Sequence, residues 1–168
     1  MRERKRTEII ATVGVMAAFA AILSYIEALI PFSIGIPGVK LGFANIAVVV
    51  VLCMYGQREA LAVNIVRIIV VGLLFANMFS IFFSMAGAFA SLAVMSIVKK
   101  TDRFTLIGVS VTGGVSYNIG QMIVAALVVD SYSIIYYMPA LIIAGIITGI
   151  IIGIVSKLII KIMKGLVR

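Results

Sequence analysis

With 168 residues, 64% of them apolar, 12% charged and a mean hydropathy of +1.28, this chain is far greasier than a soluble domain, where about a quarter of residues are charged. That composition excludes a soluble enzyme and points to an integral membrane protein. At roughly 20 residues per span, the length has room for six spans and little besides. The net charge of +8 does not mark a nucleic-acid partner, because the basic residues gather at the ends of apolar runs.

The chain opens with the basic stretch Met1 to Arg6 and then runs apolar to about residue 30. Ala18-Phe19-Ala20 mimics a signal-peptidase site, but the run exceeds a signal core of ~7–15 residues, so it is predicted to persist as a first spanning helix. Six apolar segments follow one another, at roughly 8–30, 41–55, 60–75, 79–98, 104–129 and 138–162. They are continuous rather than alternating, which argues against barrel strands, and backbone groups in lipid must be satisfied internally, which leaves helices. The expected architecture is all-α: a polytopic membrane protein with six transmembrane helices in one bundle, forming a single domain over 1–168. The second and third segments are short, which implies a tilted span, a locally thinned bilayer or true bounds a few residues away from these.

Within the first segment, Gly14, Ala17, Ala18 and Ala21 recur at about one helical turn. Such a stripe serves either close packing inside the bundle or docking of another membrane protein. The stretch Ile36-Pro37-Gly38-Val39-Lys40-Leu41-Gly42-Phe43-Ala44-Asn45 then concentrates unusual residues. Pro37 fixes its own φ and Gly38 is free to turn, while Lys40 and Asn45 put a charge and an amide at the mouth of the second run. This segment reads as the rim of a small-molecule pocket.

Arg67 falls near the middle of the third segment, with Asn64 one turn earlier on the same face. An ionisable residue at membrane depth is a functional candidate by default. It either pairs structurally, with Glu27 or helix carbonyls, or binds an anionic or carbonyl-rich ligand. Asn77 and Ser80 begin the fourth segment, where Ala86 and Ala90, with Gly87 and Ser91, form small-residue rows. Asn118 and Gln121, three apart, are expected to share a face of the fifth. The loop at 130–137 carries Tyr132, Tyr136 and Tyr137, suited to an interfacial belt or to capping a ligand by stacking. The row Gly145, Gly149, Gly153 in the last segment reads as packing within the bundle. Traced by helix direction, Glu27, Lys40, Asn45, Asn77, Asn118 and Gln121 are expected at a similar depth near the outer surface, forming an outward-facing polar pocket.

Orientation follows from the cations. Of the 14 Lys and Arg, all but Lys40 and Arg67 fall on one side if there are six spans, so both termini are expected in the cytoplasm. Chemistry is conspicuous by what the chain omits. It has no His, and Cys53 is its only cysteine, which excludes an intrachain disulfide and a Cys/His metal site. No P-loop, G-x-S-x-G, H-E-x-x-H or Asp-rich diphosphate-metal motif occurs, and the only aspartates, Asp102 and Asp130, lie on opposite sides of this topology. The chain is therefore expected to have no catalytic residues, no metal and no cofactor, and to depend on a partner for any uphill transport.

Six short spans, the Ala17/Ala21 stripe, Pro37 through Asn45, Ser84-Met85-Ala86-Gly87-Ala88 and Asn118-Ile119-Gly120-Gln121 together resemble the Gx transporter family, also labelled heptaprenyl diphosphate synthase component I. That family is similar to the substrate-binding (S) components of energy-coupling factor (ECF) vitamin transporters. The resemblance implies six helices, cytoplasmic termini and an outward pocket lidded by the loop between the first two helices. It also implies that Ala17 and Ala21 dock a transmembrane coupling subunit driven by two ATPase subunits. The expected function is capture of a small vitamin-like, flavin or isoprenoid/quinone-precursor nutrient at a bacterial or archaeal plasma membrane, with Glu27, Lys40, Asn45, Arg67, Asn77, Asn118 and Gln121 as ligand-binding candidates. The competing expectation is a non-catalytic membrane partner or anchor subunit of a prenyl diphosphate synthase or redox complex.

Overall fold

A computed structural model describes residues 2–29, 42–75, 78–129 and 136–166. Each of the six apolar segments forms a helix: α1 (Arg2–Leu29), α2 (Ala44–Met54), α3 (Gln57–Phe75), α4 (Met78–Lys100), α5 (Leu106–Val129) and α6 (Met138–Leu166). Three are long and apolar enough to cross a membrane, over Thr7–Glu27, Ile81–Lys100 and Met138–Gly165. The buried polar side chains are spread over four helices, with Asn64 and Arg67 on α3, Ser91 and Ser96 on α4, Ser110 on α5 and Ser156 on α6, while Asn118 and Gln121 of α5 are half-buried.

The helices close a ring in which α1 packs on α3, α3 on α4, α4 on α5, α5 on α6 and α6 on α2, while α2 also touches α1 and α3. Ile10, Val15 and Ile22 on α1, Phe82 and Phe89 on α4, and Ile143, Ile147 and Ile154 on α6 stand exposed around the outside. An apolar rim of that extent is stable against acyl chains and not against water. The described residues thus form a multi-pass, all-helical membrane protein.

The second helix departs from expectation. Rather than facing lipid as a tilted span, α2 is buried on every side, and Val48, Val49, Val50 and Val51 are each at most 1% exposed. Its 11 residues reach about 16 Å, half the hydrocarbon thickness, and its run of valines is apolar all round, the pattern of a helix enclosed by protein. Val48, Val49, Val51 and Leu52 join Ala17 and Ala20 of α1, Ala60 and Val63 of α3, Leu92 and Met95 of α4, Val109 of α5 and Ile152 of α6 in one core.

Polar groups hold both ends of α2. At its start, the Glu27 carboxylate accepts from the Gly42 N–H (2.6 Å) and the Phe43 N–H (3.2 Å), placing negative charge where the helix dipole is positive. Gly42 has φ +72°, and a Cβ there would lie 3.3 Å from Ile152 Cδ1, so glycine suits both its backbone and its neighbour. At its end, Lys99 of α4 donates from Nζ to the Leu52 carbonyl at 2.5 Å, a cation on the negative terminus. Gly56, at φ +123°, then makes the corner into α3.

Backbone proximity locks α5 and α6 together. A Cβ on Gly149 would sit 2.6 Å from Val111 Cα, one on Gly153 2.8 Å from Ile107 Cα, and one on Gly145 3.0 Å from the Gly114 carbonyl. The glycine row of the last helix therefore packs within the bundle, as its spacing suggested. The Ala86/Ala90 row of α4 likewise faces Gly120 of α5, where an added Cβ would meet Ala90 Cβ at 2.8 Å.

Candidate functional site

The buried face of α3 runs through Ala60, Val63, Asn64, Arg67, Ile68 and Gly72 at helical spacing, with Val66, Ile69, Val70, Leu73 and Leu74 turned outward. This pattern points Asn64 and Arg67 into the bundle, where they are 2% and 7% exposed. Asn64 Oδ1 accepts from Arg67 Nη2 at 2.7 Å. Nothing among the described residues accepts from Arg67 Nε, which is buried. A guanidinium has five N–H donors and its burial away from water is costly, so one neutral acceptor among the described residues is thin compensation.

Glu27 does not neutralise it. Both of its oxygens are committed to the start of α2, so the pairing open to Arg67 from sequence is not formed. Glu27 acts instead as the clasp between α1 and α2. Asn45, the second residue of α2, lies beside Gly42, with its Nδ2 3.4 Å from the Cβ position there.

The sixth-helix neighbours separate the expected polar ring into two groups. Gly42, and with it Glu27 and Asn45, approaches Ile152 in the middle of α6. Asn118 donates from Nδ2 to the Leu141 carbonyl at 2.8 Å, and the same nitrogen lies 3.1 Å from the Cβ position of Gly145, about two turns or 10 Å before Ile152 along that helix. Measured along α6, Glu27 and Asn45 therefore stand apart from Asn118, because the start of α2 packs against the middle of α6 and Asn118 against its first turns. Lys40 and Asn77 lie outside the described residues.

Asn118 and Gln121 also diverge. Asn118 turns to α6, whereas Gln121 Nε2 donates to the Tyr117 hydroxyl at 3.3 Å and its Cγ lies 2.8 Å from the Cβ position of Gly87 on α4. Thr112 donates to the Val109 carbonyl of its own helix, and Ser116 donates to the Thr112 carbonyl in the same way, so the hydroxyl protons of both are engaged within α5. Tyr117, 8% exposed, was not singled out from sequence, although its i, i+4 spacing to Gln121 was legible. It packs with Ile68 and Ala88, flanked by Ile81 and Met85. Ile68, the residue after Arg67, is the point at which α3 meets Tyr117 of α5. The candidate site is thus the Asn64–Arg67 pair on the buried face of α3, with the Tyr117–Gln121 pair of α5 as a second, separate polar pair.

On α1 the small residues split. Ala17 is 5% exposed and belongs to the core, so it is not available on the surface of this chain. Gly14 and Ala18 are exposed, Ala21 is half-buried, and a Cβ on Gly14 would meet nothing within 4 Å. Tyr136, 87% exposed, and Tyr137 stand outward, which fits an interfacial belt rather than a stacking cap.

Fold and site define a polytopic α-helical membrane protein with a buried, incompletely partnered cation and no group of three or more His, Cys, Asp or Glu placed to hold a metal among the described residues. The chain belongs to the heptaprenyl diphosphate synthase component I family, whose description matches residues 16–159. Comparison with curated proteins and with solved structures finds no match.

Proposed function

We propose that this chain is the substrate-capturing membrane subunit, similar to an S component, of an ECF-type ATP-driven importer. Its six-helix bundle lies in the membrane with both termini in the cytoplasm and α2 enclosed within it, and its cargo is a small vitamin-like, flavin or isoprenoid/quinone-precursor nutrient. The observation that carries this reading is Arg67, kept at 7% exposure inside an apolar bundle with a single neutral acceptor among the described residues. A purely structural cation would be expected to have a carboxylate or several carbonyls around it, whereas a binding group must keep donors free for its ligand. The exposed Gly14 and Ala18 on α1 support a docking face for a coupling subunit. Energy would come from two ATPase subunits, and the chain itself performs no catalysis.

The description of the family favours a second reading, a non-catalytic membrane partner of a prenyl diphosphate synthase. Affinity purification from native membranes, with protein identification and small-molecule mass spectrometry on the eluate, separates the two. Co-purifying ATPases with a membrane coupling subunit and a bound organic solute are expected. Recovery of a soluble prenyl synthase subunit with no solute would replace the importer with the anchor.

A further inference from the structure

We infer that Arg67 is the anion-recognising group of the capture site and that the cargo it takes is an organic monocarboxylate with an apolar body. This deepens the importer reading and rests on it. Three observations bear on the ligand's charge and shape. Arg67 is the only buried charged residue among those described, so the interior offers one positive charge. A diphosphate brings two or more negative charges and calls for further cations or a metal, yet no metal-holding cluster exists among the described residues. The buried residues that flank the Asn64–Arg67 pair along α3 are Val63 and Ile68, both apolar, and Ile68 packs on Ala88 and Tyr117, which favours an apolar body over a sugar or a nucleotide.

The guanidinium is set for a fork. Asn64 Oδ1 takes one hydrogen of Nη2 and holds the plane, while the Nε–H stays buried without an acceptor. Nε and Nη2 form one edge of the guanidinium, the geometry that pairs with both oxygens of a carboxylate, and Nη2 carries a second hydrogen beyond the one Asn64 takes. Asn64, 2% exposed, is the positioning residue. A carboxylate in its place would neutralise Arg67 from within the chain and leave no charge for the ligand.

The test uses the full chain in lipid nanodiscs, with benzoate and octanoate as probes, their methyl esters as neutral controls and geranyl diphosphate as the polyanionic comparator. Thermal unfolding and titration calorimetry supply the readouts. The carboxylates are expected to bind and raise the unfolding midpoint, and the esters are not. Arg67→Gln and Asn64→Asp are each expected to weaken carboxylate binding about tenfold or more, the size of a lost charge-assisted pair, while the midpoint without probe stays level or rises. A merely structural Arg67 gives the opposite pattern: a lower midpoint in Arg67→Gln and no probe effect in the parent protein, which would overturn the assignment. An equal carboxylate response in parent and Arg67→Gln would overturn it as well. Arg67-dependent binding of geranyl diphosphate alone would overturn the monocarboxylate class while leaving solute capture standing. Carboxylate binding without any ATPase partner in native membranes would uphold the site and remove only the importer.

Discussion

Two rows of small residues at one-turn spacing look alike on paper and behave differently in the fold. On α6, Gly145, Gly149 and Gly153 meet the backbone of α5 so closely that an added Cβ would fall within about 3 Å of main-chain atoms. On α1, Gly14 faces open space and Ala18 is exposed, while Ala17 alone turns into the core. Without a water-driven hydrophobic effect between helices, close backbone approach is a main source of association in lipid. The α6 row spends that capacity inside the chain; the outward part of the α1 row keeps it unspent. The lesson is that spacing reports which residues share a face, and only packing reports whether the face already has an occupant.

The largest expected effect sharpens the α6 side of this contrast. Gly149→Leu must push α5 and α6 backbones apart, and is expected to cost about 3 kcal/mol or more, with loss of a monodisperse peak in size-exclusion chromatography of the full chain. Next comes the clasp between α1 and the buried α2. Glu27→Ala removes a charged acceptor from two N–H groups and should cost about 2 kcal/mol in thermal unfolding, with Glu27→Gln recovering part of it. Asn118→Leu removes one interhelical bond to Leu141 and should cost about 0.6–1 kcal/mol. Because that amide nitrogen is already engaged, its effect on solute binding should be smaller than that of Arg67→Gln, and the reverse order would shift the site toward α6.

The smallest expected stability effect tests the α1 side. Gly14→Leu and Ala18→Leu should change stability by no more than about 0.5 kcal/mol, since neither side chain meets a neighbour in the chain. Under the importer reading the same variants abolish co-purification of the coupling subunit. Ala17→Leu is the internal control and should destabilise the isolated chain, because Ala17 is packed in the core. A strong loss of stability from Gly14→Leu would erase the difference between the two rows.

Much of the interior's polarity was readable in advance. Arg67 and Asn64 share a face by spacing alone, and the structure keeps them bonded. The shared face drawn for Asn118 and Gln121 did not survive, because three residues on a helix leave an angular gap wide enough for one to reach α6 and the other α4. Glu27 looked like a pocket carboxylate and proves to be a backbone anchor, since nothing local announces that Gly42 and Phe43 will fold back onto it.

Composition and continuous apolar runs determined, by themselves, that this chain is a bundle of six helices in a membrane, because lipid leaves the backbone no other way to satisfy its hydrogen bonds. Tertiary structure alone decided that α2 is enclosed by protein, that its start lies midway along α6, and that Arg67 has no carboxylate partner among the described residues. The physical reason is that helix periodicity is local, whereas depth, enclosure and charge pairing depend on how far neighbouring helices slide past one another, and α2 is too short for its ends to mark its level.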